Sequence, residues 1–321
     1  MSEPALILAL GEFIEQHKGG SPTDATIFWI HLKPREIAQR FTAESSFEVS
    51  NGLVKRVLKT KGFRFRKLSK NLPIGEYKQR DLQFRLIFEL VGLMSITSPV
   101  ISIDCKKKER LGNLYREGKL CCTGQVKVFD HDYHYLGKGT VILHGIYDLQ
   151  QNEAYVSIGN SHETAPFIID NLRWWWDNYG IHNYPDAKSV LILCDSGGGN
   201  SYRHHVFKKQ LLDLASETGM DFIICHYPPY ASKWNPIEHR LFCHVHQAMQ
   251  GVVLSDYELV RTLIAKTKTK QGLNVIVRLN LEKYEIGIRT PKSEVDYLRV
   301  NPDPQKPFFD LQDSGLESGF I

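Results

Sequence analysis

Five consecutive apolar residues, Val190 to Cys194 in the stretch "KSVLILCD", restrict this chain more than any other feature. A strand with one face in water alternates apolar and polar residues. An unbroken apolar run needs cover on both faces, which is the condition of a central strand sandwiched between helices. The flanking sequence supplies that cover. "HETAPFIIDNLRWWWDNYG" (162–180) has the apolar spacing of a helix, with Gly180 as its expected stop, and "RHHVFKKQLLDLASETG" (203–219) has the same spacing, ending at Gly219. "DFIICHY" (221–227) reads as a further strand, and "NPIEHRLFCHVHQAMQG" (235–251) as a further helix. The three tryptophans 174–176 cannot share one helix face, so one or two of them are expected in the core.

Upstream, the period changes to that of strands. "SPVISIDC" (98–105), "KVFDHDY" (127–133), "GTVILHGIYDL" (139–149) and "EAYVSIG" (153–159) are rich in β-branched and aromatic residues. Antiparallel strands followed by alternating strands and helices predict a ribonuclease H-like, integrase-type α/β domain, with a mixed five-stranded sheet flanked by helices. Its expected span is 97–270. A connecting helix is expected within 73–96 and a C-terminal extension over 271–321.

The N-terminal part differs in charge. From Leu32 to Lys70 there are eleven Lys/Arg and three Glu, a net of +8 in a chain whose total is +4, so the remainder carries −4. A basic end on a mildly acidic body suits a module that binds a polyanion. "KPREIAQRF" predicts a helix with Ile37, Ala38 and Phe41 on one face. "SNGLVKRVLKTKGF" predicts a second, capped by Ser50 and stopped by Gly62. Helix, turn, and a helix bearing Lys55, Arg56 and Lys59 fit a helix-turn-helix reader of double-stranded DNA over residues 1–72. A small helical bundle with solvated lysines fits the same pattern.

The 321-residue chain has room for both modules. It contains no apolar run long enough to cross a bilayer and no basic segment ahead of its first short apolar stretch, which predicts a cytoplasmic protein with no membrane partner. The six cysteines contain no C-x-x-C. Cys243, His244 and His246 make a poor zinc site, because helical positions two apart diverge.

Three carboxylates stand out. Asp104 closes "VISID" and Asp195 closes "VLILCD". Sites in open α/β sheets form beyond the carboxyl ends of strands. Asp195 with "SGGGN" also fits a turn in which the glycines supply positive φ. Glu238 has an equally good local explanation, with Asn235 as N-cap, Pro236 at the first helical position and Glu238 completing a capping box. Read together, however, two strand-end aspartates and a helix-borne glutamate can converge. Clustered carboxylates repel unless cations bind, and hard oxygen ligands suit two Mg²⁺ or Mn²⁺ ions poised for phosphoryl transfer.

The stretches "PVISIDCKKKERLGN", "HGIYDLQQNEAYVSIG", "LRWWWDNYG", "LCDSGGGN", "CHYPPYASKWNPIEHRLF" and "GLNVIVRLNLEKYEIGI" resemble the Azo-type (ISAzo-thirteen-like) family of bacterial insertion-sequence DDE transposases, distant relatives of the Tc/mariner group. The resemblance runs from about residue 10 to about residue 300. It implies an acidic triad of Asp104, Asp195 and Glu238, spaced 91 and 43 residues apart, with Asp104 shared between two metal ions. It implies DNA nicking at the element end, then attack of the freed 3′-hydroxyl on target DNA by a homodimer, in a bacterial cytoplasm at the nucleoid. Lys106, Lys107, Lys108, Lys233 and Trp234 are candidate DNA-binding residues. Asn200 and Asn235 are candidate supports of the carboxylates. The resemblance also implies a further helix-turn-helix ahead of residue 1, so the N-terminal module is expected to be truncated. Two other readings stay open at this level: an inactive remnant that only binds DNA, and a nuclease of ribonuclease H type.

Overall fold

A computed structural model describes residues 3–20, 26–45, 47–66, 80–95, 98–195, 197–201, 203–228 and 231–295. The expected connector's first residues, 73–79, and the extension beyond 295 lie outside these, as do 67–70 at the end of the basic arm. The chain divides into two compact units, Met1–Leu72 and Pro73–Ile321.

The first unit holds α1 (Glu3–Gln16), a short antiparallel pair β1 (Lys18–Gly20) and β2 (Phe28–Ile30), α2 (Pro34–Ser45) and α3 (Asn51–Thr60). Ile37, Ala38 and Phe41 of α2 bury against Leu10, Phe13 and Ile14 of α1 and Val54 and Val57 of α3. Ser50 caps α3, its Oγ accepting from the Leu53 amide at 3.1 Å. Gly62 follows at φ +83°, a conformation that costs glycine little and ends the helix. Lys55, Arg56 and Lys59 are exposed on α3.

In the second unit, α4 (Arg80–Met94) is followed by β3 (Val100–Leu111), β4 (Gly139–Asp148), β5 (Glu153–Gly159), α5 (Ala165–Trp175), α6 (Ile181–Asn183), β6 (Ser189–Cys194), α7 (His205–Thr218), β7 (Asp221–His226), α8 (Cys243–Met249), α9 (Tyr257–Ala265) and β8 (Asn274–Asn280). The sheet order is β7-β6-β3-β4-β5-β8. β3, β4 and β5 form an antiparallel meander, and β6 and β7 add in parallel on the other side of β3. That is the ribonuclease H-like arrangement.

The sheet has six strands rather than five, and two expectations fail in producing that number. "KVFDHDY" is not a strand. Its Val126-to-Tyr135 surroundings are largely exposed, and the Phe129 amide bonds an isolated backbone carbonyl, that of Asn113, rather than a strand ladder. Conversely, "NVIVRLN", expected in an extension, pairs in parallel with β5 along its whole length and closes that edge.

One face of the sheet buries Ile101, Ile103, Tyr155 and Ile192 under α5 and α7. The other buries Val141, Leu143, Val156 and Ile158 under Ile237, Leu241, α8 and α9, and α4 seals Leu191, Leu193 and Cys225 with Ile87. Cys194 in β6 is fully buried, as its apolar run requires.

Gly180 does not end its helix. After α5 the chain makes a π-helical turn, Trp176–Gly180, and continues through α6 to Asn183. The glycine is there for space: a Cβ would lie 2.5 Å from the Trp176 ring. Trp175 and Trp176 are core residues, and Trp174 lies half-buried with the Arg278 guanidinium 4.5 Å from its ring. Gly219 ends α7 at φ +67° as expected. Among the described residues no helix is long and apolar enough to cross a membrane.

Candidate active site

The register of the central strands assembles two of the three predicted carboxylates. β3 and β6 run in parallel with Ser102 opposite Leu193. Asp104 and Asp195 each follow two residues later and so sit level, but only Asp195 lies past a strand end: β3 does not stop at Asp104 as expected, since that residue pairs with Gly145 and the strand runs on to Leu111. Both line a cavity of about 120 Å³. The Asp195 carboxylate also closes its own turn, accepting from the Gly197 amide at 3.0 Å. Of the three glycines in that turn only Gly198 has positive φ, +58°.

Asp104 is electrostatically stressed. Burial pushes its carboxyl up to about 8, reinforced by the charge of Asp195 and, more weakly, those of Glu238 and Glu163; the Cys105 amide, donating at 2.7 Å, opposes the rise. Glu238 therefore acts on Asp104 through its field, although it does not line the cavity. Among the described residues no three His, Cys, Asp or Glu side chains stand close enough to grip an ion as they are.

Glu238 is not part of a capping box. Asn235, fully buried, turns away from the helix. Its Nδ2 donates to the Ile103 carbonyl at 3.1 Å and its Oδ1 accepts from Ser102 Oγ, which also accepts from the Ile237 amide at 3.1 Å. The chain then enters a π-helical turn, Glu238–Phe242, without a side-chain cap. Asn235 thus pins the Glu238 segment to the backbone immediately before Asp104.

Asn200 lines the same cavity and accepts from the His226 ring through its backbone carbonyl at 2.9 Å. It does not cap α7, which starts at His205. Lys107 and Lys108 are exposed in a β-bulge between Lys106 and Glu109, and the Lys108 charge opposes the rise of the Glu163 carboxyl. Lys106 is otherwise engaged, its Nζ 2.7 Å from Glu109, which also pairs with Arg116 at 2.7 Å. Trp234 is 54% exposed, edge-on to Phe84, with Lys233 Nζ 5.6 Å from its ring.

Two cavity residues escape sequence reasoning. Glu163, just ahead of the Thr164 cap of α5, lines the cavity and is raised chiefly by burial, with the charge of Lys108 opposing the rise. His144, 1% exposed, has no partner among the described residues on either ring nitrogen, and burial holds it down at about 3. The advance signal for His144 was its place as the one imidazole in a strand that is largely apolar around it. For Glu163 there was none, since a carboxylate before a helix usually faces water.

A ribonuclease H-like sheet with carboxylates gathered on two neighbouring central strands is the architecture of the DDE transposase class. The chain matches the family described as Rhodopirellula transposase DDE domain over residues 9–312, and it belongs to that family. It is accordingly a transposase, an enzyme that cleaves and transfers DNA in transposition. No match was found among curated proteins. Its structure is similar to that of a Mos1 transposase paired-end complex with the left transposon end (14% identity, 80% of this chain and 68% of that one, TM-score 0.46). It is also similar to the Mos1 mariner paired end complexes with Mg (16% identity, 76% and 74% covered, TM-score 0.45) and with Mn (16% identity, 72% and 65% covered, TM-score 0.43).

Proposed function

We propose that Asp104, Asp195 and Glu238 form a two-metal centre that nicks DNA at the ends of an insertion sequence and transfers the freed strand to target DNA. The observation that carries this reading is the meeting of Asp104 and Asp195 in one cavity with the charge of Glu238 bearing on Asp104. A carboxylate forced up to about 8 by burial and its acidic neighbours is a site short of positive charge, and Mg²⁺ or Mn²⁺ supplies it with an ion of matching hardness. When bound, two such ions lower the pKa of an attacking water or 3′-hydroxyl and stabilise the leaving oxygen.

The chain's own residues do the positioning. Asn235 holds the Glu238 turn against β3, so that the third carboxylate cannot drift from the first. Asn200, beside Asp195 in the cavity wall, offers an amide to orient a phosphate oxygen or the attacking hydroxyl. Lys107 and Lys108, held outward by the bulge, attract the phosphates flanking the scissile bond. Trp234 presents an exposed face on which an unpaired base can stack. Lys106 contributes by holding Glu109 rather than by touching DNA.

The first unit serves as the DNA reader, with α3 and its Lys55, Arg56 and Lys59 facing the duplex. Joining two element ends to one target requires two active centres, so the working form is a homodimer.

The test is Asp195→Ala, assayed with Mn²⁺ on a plasmid carrying the genomic flanks of this coding sequence. Nicking is expected to vanish while DNA affinity stays within about twofold. Undiminished nicking in the variant would overturn the assignment.

A further inference from the structure

The acidic cavity holds one carboxylate that is not a member of the triad. Glu163 lines it together with Asp104 and Asp195, whereas Glu238 does not. We propose that Glu163 is a fourth acidic ligand of the metal centre, gripping a divalent cation with Asp104 and Asp195 across the gap between β3, β6 and the start of α5. This rests on the two-metal reading above and adds a ligand to it.

Three observations converge. The first is the fit of the turn after Asp195 around Glu163. At Gly198, which takes φ +58°, a Cβ would lie 2.5 Å from Glu163 Oε1, so the end of the Glu163 side chain rests directly against the turn that follows Asp195.

The second is His144. Its imidazole is 1% exposed, lines the cavity and, among the described residues, has no hydrogen-bond partner on Nδ1 or Nε2. A buried polar atom left unsatisfied is destabilising. A fold keeps such a group where a guest satisfies it, and a neutral imidazole offers one donor and one acceptor. The water shell of a bound cation can meet both needs, whereas an apolar guest meets neither.

The third is charge. Asp104, Asp195 and Glu163 share a cavity of about 120 Å³, and the positive charge that bears on Glu163 comes from the exposed Lys108. A space of that size suits a hydrated ion rather than an organic molecule. Among the described residues no three of these donors stand at gripping distance, so binding a cation requires the side chains to draw together. The competing explanation makes Glu163 a favourable charge at the N-terminus of α5. That role is structural and involves no metal.

The experiment is calorimetric titration of Mn²⁺ into the full chain, wild type beside Glu163→Gln and Asp195→Asn, with the metal-free melting temperature of each. Glutamine keeps the shape and the acceptor oxygen but removes the charge. The expected result is Mn²⁺ affinity lowered at least about tenfold in both variants, with the metal-free melting temperature of Glu163→Gln unchanged or higher because a repulsion has gone. Wild-type affinity in Glu163→Gln beside a loss in Asp195→Asn would overturn the proposal and leave the triad standing. Wild-type affinity in both would overturn the two-metal reading as well. Should Glu163→Gln melt well below the wild type, Glu163→Asp decides. Weakened Mn²⁺ binding at unchanged melting temperature supports a ligand, and wild-type affinity overturns it.

Discussion

Asn235 donates its side-chain amide to the carbonyl of Ile103 at 3.1 Å, across 132 residues of sequence. With the two bonds that Ser102 Oγ makes to Asn235 and to the Ile237 amide, that bond joins the segment carrying Glu238 to the strand carrying Asp104, one residue before the carboxylate. Asn235→Ala leaves the Ile103 carbonyl and Ser102 Oγ without their partner in a fully buried site. It should cost about 2–4 kcal/mol in urea unfolding, at one to two buried groups orphaned, and should lower nicking further than that loss explains. Equal losses in stability and nicking would reduce Asn235 to a purely structural role.

Stability should record the stress on Asp104. Its carboxyl is raised to about 8 in the folded protein from 3.8. A raised group contributes its full stability below the unfolded value and loses it as pH climbs through the folded one. The metal-free protein therefore loses stability from this residue between about pH 4 and pH 8. His144 and His226, both held down by burial, act in the opposite sense over part of that range. The difference between wild type and Asp104→Asn isolates the carboxylate: the advantage of the variant in melting temperature should grow from pH 5 to pH 8. A difference constant with pH would contradict the assignment.

Much of this was legible because it followed from period and position. Val190–Cys194 is apolar throughout and became a central strand, and Asp104 and Asp195 end runs whose parallel pairing sets them level. What was not legible depended on partners distant in sequence. "NVIVRLN" joins the sheet because β5 has a free edge, which no local pattern reveals. "KVFDHDY" has strand-forming residues but joins no ladder, its Phe129 amide bonding the Asn113 carbonyl instead. Asn235 and Glu238 look like a capping box in isolation, and only the buried Ser102 beside them draws the amide away from the helix. Glu163 enters the cavity because of where α5 begins over the sheet, a tertiary fact.

Gly180→Ala sets two effects against each other. Alanine gains about 1 kcal/mol of helix propensity over glycine. Its Cβ, however, would meet the buried Trp176 ring at 2.5 Å, and overpacking of that kind costs about 1–3 kcal/mol. The clash should win, with a net loss of about 1 kcal/mol in chemical denaturation. A stabilised variant would show that the π-helical turn yields easily.

Neutralising Lys55, Arg56 and Lys59 together should weaken duplex binding and reduce the slope of log affinity against log salt by about 2–3, close to one for each phosphate no longer neutralised. An unchanged slope would remove α3 from the DNA interface.

The most direct test of the centre is Glu238→Gln, because Glu238 acts on Asp104 by its charge yet lies outside the cavity. Single-turnover, Mn²⁺-dependent nicking should be compared with wild type at matched DNA occupancy, alongside melting temperatures. A fall of at least about 100-fold, with DNA binding and melting temperature retained, is the predicted result, the size expected for losing a transition-state interaction of roughly 2.7 kcal/mol. Nicking at the wild-type rate would contradict the three-carboxylate centre and leave Glu238 a surface charge on a helix.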